Sequence, residues 1–172
     1  YNVPGRTAVD MLPSTTARLA ELPNIIGIKD ATGDLARGAE LLASCGDKIA
    51  IYSGDDATAI EFLLMGGAGN VSVTANVAPL QMAQLCRLAM AASTGSEQEK
   101  QHARDLNQAL ALLNNDLFVE ANPIPVKWAL YKMGLIKEAI RLPLTVLDSQ
   151  YHAKIETALA LANSSNEPVA AN

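Results

Sequence analysis

A lysine closes a short apolar run, Ile25-Ile26-Gly27-Ile28-Lys29-Asp30. A run this short and rich in β-branched residues reads as a buried strand. Side chains alternate along a strand, so Ile25, Gly27 and Lys29 share one face and Ile26, Ile28 and Asp30 the other. If the strand belongs to a barrel, Ile26 and Ile28 suit the side covered by helices, and Gly27 leaves room beside Lys29 on the inner side. An amine withdrawn from water holds its proton less tightly, which frees it to attack a carbonyl. A strand-end lysine that snorkels to solvent fits the same position. Position alone leaves both readings open.

Other residue types capable of chemistry are sparser. Cys45 and Cys86 stand apart with no C-x-x-C spacing, so free buried thiols in a reducing cytoplasm are expected. His102 and His152 fall on separate predicted helices without partners at metal-ligand spacing. They are expected at the surface, and neither a metal nor a cofactor is expected. The glycine cluster Gly66-Gly67-Ala68-Gly69 follows a predicted helix and precedes a strand. Phosphate loops run from strand to helix, so this cluster reads as a helix stop and turn. Trp128 and Tyr131 are three apart on one predicted helix and read as packing. For the acidic pair Asp55 and Asp56, helix capping is at least as good a reading as chemistry.

The elements that must position these residues alternate. Strands are predicted at Ile25–Asp30, Ile49–Ser53 and Val71–Thr74, spaced by about 20 to 24 residues. Between them lie helices: one from Pro13, where proline suits a first turn, one capped by Asp34 and running through Ala43 with Gly46 past its end, and one capped by Asp55 or Asp56 and stopped at Gly66-Gly67. This is the βα rhythm of a parallel sheet, in a barrel or a doubly wound fold. After Thr74 only helices are predicted. One runs from Pro79 to Ala92, and a second from a Ser96/Glu99 capping box to Asn114. A third follows Asn122-Pro123-Ile124-Pro125 and ends at Gly134, and a last one runs from Asp148 to Ala162. The tail from Asn163 is expected to fray.

With 49% hydrophobic and 18% charged residues, the 172-residue chain has the composition of a globular protein. A net charge of −5 with scattered basic residues argues against nucleic acid as a partner. No run approaches the roughly 20 apolar residues that span a bilayer, so no membrane partner is expected. Tyr1-Asn2-Val3-Pro4 reads as the end of a strand, so the chain is expected to be part of a longer one.

The pattern Tyr1-Asn2-Val3-Pro4, Thr7, then Ile25-x-Gly27-Ile28-Lys29-Asp30-Ala31 resembles the signature of the pyruvate-dependent Schiff-base aldolases. The resemblance continues through Ser53-Gly54-Asp55-Asp56, Val71-Ser72-Val73-Thr74-Ala75-Asn76-Val77 and Asn122-Pro123-Ile124-Pro125-Val126-Lys127, and covers nearly all of the chain but its tail. Tyr1-Asn2-Val3-Pro4-Gly5-Arg6-Thr7 is similar to the dihydrodipicolinate synthase version. Arg6 discriminates, because sialic-acid lyases usually lack an arginine there. Ala31-Thr32-Gly33-Asp34-Leu35 leans the same way. Gly5 and Ala8 depart from the pattern, where serine and glycine are common.

The resemblance implies an α/β fold: the C-terminal half of a TIM (β/α)8 barrel followed by a helical C-terminal domain. Residues 1–92 would be the barrel portion, from the end of a strand through about three βα units, and 93–172 the helical domain. It further implies that Lys29 forms the Schiff base with pyruvate, Tyr1 relays protons, Arg6 binds a substrate carboxylate, and the Val71 backbone carbonyl lies near Lys29. Gly54 and Asp55 would shape the substrate entrance. The implied partners are pyruvate and aspartate semialdehyde, in a cytoplasmic homo-oligomer, a tetramer by resemblance. Two alternatives stand: an N-acetylneuraminate or 2-keto-3-deoxy sugar acid aldolase of the same superfamily, and a non-catalytic half-barrel.

Overall fold

The computed structural model describes residues 1–164. Compactness divides the described residues into two units, Tyr1–Ser72 with Leu85–Arg104, and Val73–Gln84 with those from Asp105 onward. Two long helices, Pro79–Ala92 and Glu97–Asn107, each contribute residues to both.

In the first unit, β1 (Gly27–Asp30), β2 (Ala50–Ser53) and β3 (Gly69–Asn70) form a parallel sheet in the order β1-β2-β3. Lys29 stands in register with Tyr52, and Asp30 with Ser53. Asn2 adds a parallel bridge to Asp30: its N–H donates to the Lys29 carbonyl and its own carbonyl accepts from Ala31 N, both at 2.9 Å. The opening residues therefore lie alongside β1 through this one isolated bridge. Two helices, α1 (Pro4–Thr7) and α2 (Pro13–Leu19), precede β1, while α3 (Leu35–Cys45) joins β1 to β2 and α4 (Ala59–Leu64) joins β2 to β3.

Local chemistry accounts for these helices. Pro13 opens α2. The Asp34 carboxylate caps α3 by accepting from Ala36 N at 2.9 Å and Arg37 N at 3.1 Å. Asp55 accepts from both N–H and hydroxyl of Thr58, folding the turn that feeds α4. Ile28, Ile51, Leu41, Cys45 and Phe62 form the core of this unit. Gly38 lets α3 approach α4, because a Cβ there would stand 2.8 Å from the Phe62 ring. Gly66, at φ +109°, ends α4 as the glycine cluster predicts.

Three expectations need correction here. Ile26 does not share the fate of Ile28: it precedes the strand and is 82% exposed, offering only its carbonyl to Ala50 N. The strand expected at Val71–Thr74 lies instead at Gly69–Asn70, and Thr74–Asn76 wind a 3-10 turn. There the buried Thr74 hydroxyl donates to Asn114 Oδ1 at 2.8 Å, a tertiary bond that outweighs β-propensity. Gly27, finally, does not provide the room beside Lys29. A Cβ on it would meet the Ala50 carbonyl at 2.8 Å and the Tyr52 ring at 3.4 Å.

The helix α5 (Pro79–Ala92) is as predicted. The Ser96/Glu99 capping box forms, with Glu99 Oε2 accepting from Ser96 N at 2.7 Å and Ser96 Oγ from Glu99 N at 3.3 Å. The helix it starts, α6 (Glu97–Asn107), is shorter than expected: a 3-10 turn over Gln108–Leu110 separates it from α7 (Ala111–Asp116). In the second unit α7, α8 (Ile124–Lys132) and α9 (His152–Ser164) pack through Leu113, Leu117, Trp128, Ile155 and Leu159. Asn163 and Ser164 are the last turn of α9 rather than a frayed tail; the remainder of that tail lies outside the described residues. His152 is not simply a surface residue, since its ring stacks on Trp128 at 4.3 Å. Cys45 is buried and Cys86 half-buried, and burial with the nearby Asp56 charge pushes the Cys86 thiol up, away from the reactive thiolate.

Candidate active site

Strand alternation sends Ile28 and Asp30 toward the helices and Lys29 to the opposite face of the sheet, at its carboxyl end. Tyr52 shares that face: its ring lies across the sheet, 3.4 Å from a Cβ built on Gly27 and 3.1 Å from one built on Gly69. The two glycines therefore make room for Tyr52, not for the lysine. Tyr52 escaped the sequence reading, although its parity with Ala50 in β2 places it beside Lys29.

The lysine's own space comes from Gly54. A Cβ on Gly54 would stand 2.6 Å from Lys29 Cε, 3.1 Å from Lys29 Cγ and 2.8 Å from Ala31 Cβ. The backbone holds Gly54 there, its N–H donating to the Asp30 carbonyl at 2.8 Å. Lys29 Nζ then lies over the Tyr1 ring, 4.2 Å from its centroid, a cation–π distance. Lys29, Tyr1 and Gly54 are brought together. Asp55 follows Gly54 and closes over Gly33, at φ +71°, with Oδ2 3.2 Å from where a Cβ would be. Val71 lies just past β3 at the same end of the sheet, its N–H donating to the Ser53 carbonyl at 2.8 Å. Arg6 is exposed in the last turn of α1.

Behind β1 is a polar cluster. The Asp30 carboxylate accepts from Asn2 Nδ2, Arg37 Nε and Thr32 N, each at 3.0 Å, and from the Thr32 hydroxyl at 2.5 Å. Burial pushes this carboxyl up, but the bonds from Thr32, Asn2 and Arg37 outweigh burial and hold it below its ordinary value. Arg37 was absent from the sequence reading. Its signal was a charge four residues before Leu41, on the buried stripe of α3 that also carries Gly38 and Cys45. Among the described residues no group of three or more His, Cys, Asp or Glu could hold a metal ion, and no helix is long and apolar enough to cross a membrane.

Residues 1–162 match the model of the dihydrodipicolinate synthetase family. The chain belongs to that family. A 4-hydroxy-tetrahydrodipicolinate synthase of Marinobacter nauticus is 60% identical over 159 residues, 92% of this chain and 52% of the relative. One from Thioalkalivibrio sulfidiphilus is 59% identical over 162 residues, 94% of this chain and 53% of the relative. The crystal structure of a chloride-inhibited dihydrodipicolinate synthase from Acinetobacter baumannii, complexed with pyruvate, superposes with a TM-score of 0.89 at 54% identity, covering 95% of this chain and 54% of the other. The chain thus spans about half the length of the curated relatives it matches. The solved family members are TIM-barrel enzymes, and the three parallel strands with their helices are a portion of such a barrel.

Proposed function

We propose that the whole protein to which this chain belongs is a 4-hydroxy-tetrahydrodipicolinate synthase of lysine and diaminopimelate biosynthesis, with Lys29 as its imine-forming residue. The observation that carries the reading is the Tyr1 ring under Lys29 Nζ at 4.2 Å, at the carboxyl end of a parallel strand, where barrel enzymes keep their chemistry.

The neutral amine of Lys29 attacks the keto carbon of pyruvate, and loss of water leaves an imine. Removal of a methyl proton converts the imine to an enamine, whose terminal carbon bonds to the aldehyde carbon of aspartate semialdehyde. The amino group of the adduct then attacks the imine carbon, closes the ring and expels Lys29. Tyr1 relays the protons of these steps through its phenol. Arg6 binds the carboxylate of the second substrate, for which a planar guanidinium fork is suited. The Val71 carbonyl lines the imine, and Gly54 and Asp55 shape the entrance.

The order of strands followed by helices supports placing the chain in the C-terminal half of the barrel, with 1–92 as barrel wall and 93–172 as the helical domain. A cytoplasmic homotetramer fits the same family. The segment by itself is inactive on this reading, because the rest of the barrel supplies further substrate contacts. Arg6 favours the synthase over a sugar-acid aldolase. The full-length protein, assayed with pyruvate plus aspartate semialdehyde and separately for sialic-acid cleavage, is expected to show only the first activity, and Arg6→Ala to raise the KM for aspartate semialdehyde. Cleavage of sialic acid without condensation would overturn the reading.

A further inference from the structure

We propose that Arg37 is a positioning residue for the Lys29–Tyr1 pair: by clamping Asp30 and Asp10 it fixes Asn2, and Asn2 carries Tyr1 onto Lys29. This rests on the reading of Lys29 as the imine-forming residue.

Within this chain Tyr1 is 66% exposed. Its place is set by Asn2, which is only 3% exposed and is bonded on every side. The Asn2 backbone brackets Lys29 and Ala31. Its side-chain amide donates to Asp10 Oδ1 and Asp30 Oδ2 at 3.0 Å, and its Oδ1 accepts from Met11 N at 3.1 Å. Arg37 engages the same three residues. Its Nε donates to Asp30 Oδ2 and its Nη1 to Asp10 Oδ2, both at 3.0 Å, and its Nη2 to the Met11 carbonyl. With side chains only 10% and 11% exposed, Arg37 and Asp30 are screened little by water. Without the guanidinium, two carboxylates would face one asparagine amide with no cation between them. A lysine retains the charge but not the rigid fork that meets three acceptors at once. The consequence reaches the chemistry because Asn2 and Asp30 are the chain neighbours of Tyr1 and Lys29, and a misplacement of about 1 Å can cost up to a hundredfold in rate.

The test uses the full-length protein with Arg37→Lys, Arg37→Met and Asn2→Ser, and with Lys48→Met as a control that breaks only the exposed Lys48–Glu21 pair. Steady-state kinetics, the rate of borohydride trapping with pyruvate and thermal unfolding are measured on each. Arg37→Lys and Asn2→Ser are expected to remain folded and to lose about ten- to hundredfold in kcat and in trapping rate, with the pyruvate KM within about threefold. Arg37→Met should lose more than Arg37→Lys, and the control nothing. Folded variants that trap pyruvate at the wild-type rate overturn the proposal, as does a lowered melting temperature with unchanged trapping. If the Arg37 variants do not fold, Asn2→Ser decides by the same criterion. Failure of the wild-type protein to trap pyruvate on Lys29 removes the underlying reading, and is distinguishable because it precedes any variant.

Discussion

Replacing Gly54 by alanine would place a methyl carbon 2.6 Å from Lys29 Cε, 3.1 Å from Lys29 Cγ and 2.8 Å from Ala31 Cβ. Ordinary contact begins at 3.4 Å, so the lysine chain must withdraw by roughly 0.8 Å to restore van der Waals spacing. The Lys29 chain can rotate away, but Ala31 Cβ is fixed to its backbone, so part of the clash is taken up by the loop. Overpacking of this kind costs about 1–3 kcal/mol in stability. If Lys29 forms the imine as proposed, the effect on its amine is larger, since a displacement near 1 Å can cost up to a hundredfold. In the full-length protein, Gly54→Ala is therefore expected to slow borohydride trapping of pyruvate about ten- to hundredfold while a cooperative unfolding transition persists. Gly5→Ala, where a Cβ meets nothing within 4 Å, is the matched control and should trap normally. A Gly54→Ala protein that traps pyruvate within about twofold of wild type would refute the argument that this glycine sets the lysine's position.

Asp30 makes acid stability a second test. Its folded carboxyl lies below its ordinary value, so its contribution is complete above the unfolded value of about 3.9 and is lost as pH falls through the folded one. Urea denaturation of the full-length protein between about pH 5 and 2.5 should show this loss, and Asp30→Asn should flatten that part of the profile; an unchanged slope contradicts the assignment. Asp34→Ala removes the α3 cap that accepts from Ala36 N and Arg37 N, and is expected to lower stability by about 0.5–2 kcal/mol. Chemical denaturation checks it, and no loss would show that water replaces the cap.

Much of the fold was legible because its signals are local. Proline at a first turn, Asp34 before α3 and the Ser96/Glu99 box each satisfy helix-end groups with neighbours a few residues away. The misses came from long-range contacts. Thr74 leaves a β-like run because its hydroxyl meets Asn114, 40 residues on. Ile26 is exposed because alternation says which face a residue takes, not whether that face is covered. Ala8 shows the reverse: a departure from glycine at that position has a structural meaning, since Ala8 sits at φ 56° closing α1. At the site, the Tyr1–Lys29 pairing came from resemblance and the structure brings the two together. The identity of the glycine beside Lys29 did not come from sequence, because strand parity selects Gly27 and only the crossing of chains reveals Gly54. The bonding roles of Asn2 and Arg37 were not legible for the same reason; their partners Asp10, Met11 and Asp30 are scattered along the chain.

The most direct test of the account is the site of imine formation. The full-length protein is incubated with saturating pyruvate and borohydride, digested, and mapped by mass spectrometry. The reduced pyruvyl adduct is expected on the peptide carrying Lys29, with Lys127 and Lys154 unmodified and with no adduct in Lys29→Ala. An unmodified Lys29 under saturating pyruvate, or an adduct that persists in Lys29→Ala, would contradict it.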